Sequence, residues 1–198
     1  MNSPVTLTVE RAASQSRLHL LARTFFAVVY VGIPHGLCLM FYSFWLMLAM
    51  FLAWFAVLFT GKYPRGLFNS VVGFFRWEAR VAAYMYFLTD KYPAFGPGPK
   101  DGDTLKLDVA YPERLSRGLL LAKTFFGLFY VGIPHGICLQ FRMIGLFFVM
   151  IAAWFAVLFT GRFPEAMHRF SFGTRRWLMR VGMYFIQTDA YPPFTGKE

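Results

Sequence analysis

"TFFAVVYVGIPHGLCLMFYSFWLMLAMFLAWFAVLFTG", residues 24–61, contains no Asp, Glu, Lys or Arg. A transmembrane helix needs about 20 mostly apolar residues. The run is too long for one crossing and suits two, so its reading decides the fold. It predicts spans at 20–40 and 44–60, joined by a tight turn around the "MFYS" of residues 40–43. Gly61 follows as a natural helix terminator, and Pro64 suits the first turn of the next helix.

The run returns in the second half of the chain. "VGIPHGLC" at 31–38 becomes "VGIPHGIC" at 131–138, and "AWFAVLFTG" at 53–61 is repeated unchanged at 153–161. "RW" recurs at 76–77 and 176–177, and "TDKYPAF" at 89–95 becomes "TDAYPPF" at 188–194. Even the alternating "VTLTVE" (5–10) has a counterpart in "LKLDVA" (105–110), each the length of a short strand. The chain is therefore two copies of one unit, 1–98 and 99–198, joined by the Pro/Gly-rich "FGPGPKDGDT" of residues 95–104. The second copy predicts spans at 120–140 and 143–160, with Arg142 in the turn.

A third helix follows in each copy, at 64–90 and 164–189. Arg65, Asn69, Gly73, Arg76 and Arg80 recur about one helical turn apart, as do Glu165, Arg169, Gly173, Arg176 and Arg180. Each set forms one narrow polar stripe on an otherwise apolar helix. Such a helix suits the membrane interface, with Arg76, Arg80, Arg176 and Arg180 turned toward anionic head groups or an acidic partner. A third span is the alternative, disfavoured because two mid-helix arginines are costly in hydrocarbon. Trp77 and Trp177 read as interface anchors. Asp90 and Asp189 read as turn residues or partners of a nearby Arg.

Composition agrees with a membrane protein. Hydrophobic residues make up 57% of the chain, above the roughly 45–50% of soluble domains. The net charge of +10 comes from Lys and Arg that flank the apolar runs, which favours anionic lipid over nucleic acid. The polar N-terminus has no apolar core of a cleavable signal peptide. Basic residues lie before each first span and after each second one. The expected fold is thus all-α integral membrane with four spans. Two tandem repeats share one orientation, each a transmembrane hairpin plus a cytoplasmic-side amphipathic helix, with both termini cytoplasmic and the pseudo-two-fold axis along the membrane normal.

Pro34 and Pro134 should kink the first spans and free a carbonyl one turn earlier. His35 and Cys38 share a helix face, as do His135 and Cys138. Facing each other across the pseudo-axis, these four would make a Cys2His2 set for zinc or copper, and the histidines alone could hold a haem iron. The plainer reading gives the histidine a freed carbonyl and the cysteine a packing role. A proton or substrate path past the histidines is a third. A Cys38–Cys138 disulfide requires that their helices touch. His19 and His168 have no evident partners.

Taken together, the Pro-His motif, "AWFAVLFTG", "RW" with Arg80 and Tyr84, and "TD.YP.F" resemble the bacterial membrane proteins grouped as the domain-of-unknown-function family numbered 4389. The resemblance covers both repeats and nearly the whole chain. It implies the membrane fold and location, carries no established activity and supplies no catalytic residues. The sequence holds no phosphate loop, Ser-His-Asp set, paired catalytic carboxylates or dinucleotide fingerprint. The expected role is a non-catalytic accessory or scaffolding subunit at the bacterial inner membrane. It would be multi-pass, bound to lipid and other integral membrane proteins, and need no cofactor. A metal- or haem-binding protein and a small transporter or lipid-handling protein are the alternatives.

Overall fold

A computed structural model describes residues 3–197. Strand β1 (Val5–Val9) and strand β2 (Leu105–Val109) pair antiparallel, with Leu7 opposite Leu107 at the centre of the register. Alternation sorts their faces: Val5, Leu7, Leu105 and Leu107 are buried, while Thr6, Thr8, Lys106 and Asp108 are exposed. The described residues form helices α1 (Arg17–Thr60), α2 (Arg65–Met85), α3 (Arg117–Thr160) and α4 (Glu165–Ile186).

The expected hairpins do not form. α1 and α3 are each a continuous helix of 44 residues, and the "MFYS" segment is helical throughout. That segment has no glycine or proline to end a helix, so a run with the residue count of two spans stays one rod. Arg142, expected in a turn, lies in mid-helix. The prolines do not interrupt the rods either. Each follows a π turn, Val28–Gly32 in α1 and Leu128–Gly132 in α3. Among the described residues the candidate spans therefore number two, not four.

α1 and α3 run antiparallel, start against end. Arg17 Nη2 donates to the Phe159 carbonyl (2.9 Å) and Arg117 Nη2 to that of Phe59 (2.8 Å). Trp54 Nε1 donates to Thr124 Oγ1 (3.0 Å), and Trp154 Nε1 to Thr24 Oγ1 (2.8 Å). The pseudo-two-fold axis that relates the copies is thus perpendicular to the long helices.

α2 and α4 are core elements rather than surface helices. α2 packs on α1 and on β2, the strand of the other repeat, and α4 packs on α3 and on β1. The helices also stop sooner than expected, at Met85 and Ile186. The two repeats share one apolar core in which Leu7, Val57, Phe68, Leu107, Val157 and Phe172 are buried together. The boundary between sequence repeats is therefore not a boundary in packing.

Gly61 and Gly161 close the long helices in the left-handed region, each at φ 69°, where a Cβ is unfavourable. Gly61→Ala or Gly161→Ala should each lower stability by about 1 kcal/mol, seen as a lower thermal midpoint in detergent. Gly36, a helical glycine with nothing within 4 Å of an added Cβ, should accept alanine without loss.

Candidate functional site: two aromatic pockets and four arginine clamps

The VGIPHG motif builds the floor of an aromatic pocket in each repeat. The Ile33 amide reaches back to the Val28 carbonyl in the π turn. Pro34 has no amide to give, so the turn is one donor short. The Tyr92 hydroxyl supplies it, donating to the Tyr30 carbonyl at 2.9 Å. In the second repeat Tyr191 does the same for Tyr130 at 3.1 Å. The freed carbonyl foreseen from the proline is real, and its donor is a tyrosine from the "YP.F" tail.

His35 is fully buried. Trp77 Nε1 donates to His35 Nδ1 at 2.9 Å, and the Phe95 ring stacks on the imidazole at 3.8 Å. His135 has the same environment from Trp177 (2.9 Å) and Phe194 (3.8 Å). An indole N–H only donates, so Nδ1 bears no proton and the neutral ring carries it on Nε2. The tryptophans are therefore buried donors, not interface anchors. Tyr30 and Tyr84 complete the wall with a 2.9 Å hydroxyl pair, matched by Tyr130 and Tyr184.

The structure does not bring the proposed metal set together. Each histidine is enclosed by aromatic residues of its own repeat, and Cys38 and Cys138 are free and exposed. No group of three or more His, Cys, Asp or Glu side chains with metal-binding geometry occurs among the described residues.

The arginine stripe is turned inward. In the strand pair, Glu10 donates to the Thr104 carbonyl (2.8 Å) and Ala110 to that of Pro4 (2.9 Å). That ladder phase leaves the Leu7 and Leu107 carbonyls facing the two open edges. Arg176 Nε donates to the Leu7 carbonyl at 2.9 Å, and Arg76 Nη2 to that of Leu107 at 3.2 Å. Each repeat thus clamps the strand of the other. Arg76 and Arg176 also hold the carbonyls of Pro97 (3.2 Å) and Gly196 (3.0 Å). Arg80 pairs with Asp103 (2.9 Å), and Arg180 donates to the Lys197 carbonyl (2.7 Å). Arg80, Arg176 and Arg180 are buried. A head-group surface made of these four is therefore replaced by an internal one.

Gly73 and Gly173 in the stripe have a steric reason. An added Cβ would meet Pro97 Cβ at 2.6 Å or the Gly196 carbonyl at 3.2 Å. The tails after the two helices need that close approach.

Arg23 and Lys123 are buried basic residues whose roles the sequence did not disclose. Arg23 donates to the Thr89 carbonyl (2.7 Å) and pairs with Asp90; Lys123 donates to the Thr188 carbonyl (2.8 Å) and pairs with Asp189 (2.7 Å). The same aspartates accept from the Ser16 amide (2.6 Å) and the Ser116 amide (2.7 Å), tying the tails to the starts of the long helices. The available signal was a basic residue at matching positions in both repeats, each with a "TD" to pair with.

These features define a class: a duplicated helical chain, internally locked by aromatic pockets and buried bases, with two rods long and apolar enough to cross a membrane. A family model for a domain of unknown function, DUF4389, matches residues 17–96 and again 122–196. The chain belongs to that family, as a tandem of two copies. No curated protein and no solved structure matches it.

His168 on α4 breaks the symmetry, since Phe68 occupies the equivalent place. It lines a cleft of about 560 Å³ with Arg11, Arg142 and Arg169. Burial holds its pKa below the usual histidine value, and the charge of Arg11 acts in the same direction against a backbone hydrogen bond to Leu88. A depressed pKa favours the neutral folded form, so this contribution is present above pH ~6.5 and is lost as pH falls through the folded pKa. His168→Phe should therefore flatten the decline in stability between pH 7 and pH 5, measured by denaturant unfolding of both proteins. Tyr92→Phe should cost about 1 kcal/mol. Adding Tyr191→Phe should double the loss, because the two pockets share no partner.

Proposed function

We propose that this protein is a membrane-seated, non-catalytic accessory or scaffolding subunit. Its place would be the bacterial inner membrane, with its basic residues on the cytoplasmic side, where it would pack against other integral membrane proteins. The observation that carries the reading is a division of labour among side chains. The polar groups with chemical potential, including His35 and His135 through their Nδ1 atoms and the stripe arginines, are engaged in holding the fold. The outer faces of α1 and α3, in contrast, are apolar along their length, with Phe25, Phe41, Phe59, Phe125, Phe141 and Phe159 each at least 67% exposed. A contiguous apolar surface of this extent marks contact with lipid or protein, and 44 residues far exceed the ~20 of a span.

Tagged protein purified in mild detergent from its native membrane should co-elute with a defined, stoichiometric set of membrane proteins, identified by mass spectrometry. A solitary protein would overturn the accessory role. Recovery in the soluble fraction would overturn the membrane seat as well.

A further inference from the structure

We infer that α1 and α3 do not cross the bilayer but lie side by side in the plane of one leaflet, with the strand pair and its charges above them in water. The inference rests on the membrane seat just proposed and names its partner: the acyl-chain layer of a single leaflet.

Symmetry carries the argument. The strand register is centred on Leu7 opposite Leu107, and the long helices meet start to end. One pseudo-two-fold axis relates both pairs, perpendicular to the rods. The strand pair therefore sits at mid-length of α1 and α3. If the rods stood along the membrane normal, exposed Lys106 and Asp108 would lie at the bilayer midplane. A charge there costs at least about 2.5–3.5 kcal/mol. With the rods in the plane, the same axis becomes the membrane normal and the strands move out to the aqueous side.

Length agrees. A helix of 44 residues measures about 66 Å at ~1.5 Å per residue, against a hydrocarbon core of ~30 Å. A helix about 10 Å across fits within the ~15 Å of one leaflet. Burial agrees too. Leu20, Val31, His35, Leu46, Ala53 and Val57 run from end to end of α1 as one buried face, so the protein body covers the rod along its whole length on one side. The one formal charge within 124–161, Arg142, is turned to that side. Its Nε donates to Thr174 Oγ1 (2.8 Å) and its guanidinium lies over the Phe170 ring.

Charge at the ends decides between the two placements. Exposed Arg17 and Lys62 bracket α1, and exposed Arg117 and Arg162 bracket α3. A spanning rod would carry one basic end to the far side, against the positive-inside bias. In-plane rods keep all four at head-group level on one side, where anionic lipid attracts them.

The test uses the full chain with Cys38→Ser and Cys138→Ser, which removes both native thiols, and single cysteines at exposed positions: Ser14→Cys, Lys62→Cys or Lys106→Cys. Sealed inside-out and right-side-out membrane vesicles are treated with a membrane-impermeant maleimide. All three should label in the same vesicle orientation, with at least tenfold preference. Labelling of Ser14→Cys and Lys62→Cys from opposite sides, or protection of Lys106→Cys in both orientations, would overturn the inference and leave the membrane seat intact. Protein found in the soluble fraction would overturn both. In the unsubstituted chain, spin labels on Cys38 and Cys138 should report a depth within one leaflet. Labels at the bilayer centre would overturn the in-plane placement independently of any substitution.

Discussion

The contact between the Arg176 guanidinium and the Leu7 carbonyl, with its mate between Arg76 and Leu107, is the constraint on which the remaining architecture depends. A two-stranded ribbon is all edge and is marginal by itself. Here the edge carbonyls at its centre are closed by cationic donors from flanking helices, in charge-assisted bonds stronger than neutral ones. Because each donor belongs to the opposite repeat, the clamps also fix the relation between copies. The antiparallel placement of α1 and α3, the shared core and the close passage of the tails over Gly73 and Gly173 are all consistent with that crossing. Glu78 and Arg175, paired across the repeats at 2.7 Å, reinforce it.

A second theme is local repair of a backbone deficit. Proline inside a long helix removes a donor and leaves a carbonyl without its usual partner. The chain absorbs the defect in a π turn and returns a tyrosine hydroxyl from a tail far along the sequence. That return places Phe95 or Phe194 over the adjacent imidazole. The motifs "VGIPHG" and "YP.F" are thus two halves of one device, and "RW" joins it by giving the tryptophan that holds the histidine.

Much of this was legible in the sequence. The duplication, a short strand within each of 5–10 and 105–110, and Gly61 and Gly161 as helix ends follow from local chemistry and self-similarity, and the structure has them. The failures share a cause. Residue count alone divided 24–61 into two spans, although Phe41, Tyr42 and Ser43 contain no breaker. Helical spacing placed Arg76, Arg80, Arg176 and Arg180 on one stripe, but spacing is silent about what covers a stripe, and a strand from the other repeat does. Periodicity likewise put Cys38 near the face of His35, whereas packing buries the imidazole and leaves the thiol outside. Arg23 and Lys123 went unread because their meaning lies in tails more than 60 residues away. Tertiary partners, not local propensity, settle such positions.

The crossed strands also order the events of synthesis. Leu7 leaves the ribosome well before the side chain that closes its carbonyl, which lies 169 positions later. Bringing such distant segments together is entropically slow. The first repeat therefore emerges as an incomplete object: its strand has no neighbour, and its core has only one half of the shared apolar surface. α1 must keep its phenylalanines from premature association until the second copy arrives. Duplication within one chain shortens that wait, since the complementary half is tethered rather than supplied by collision. The fold is in this sense a dimer whose assembly has been converted into the last stage of making a single polypeptide.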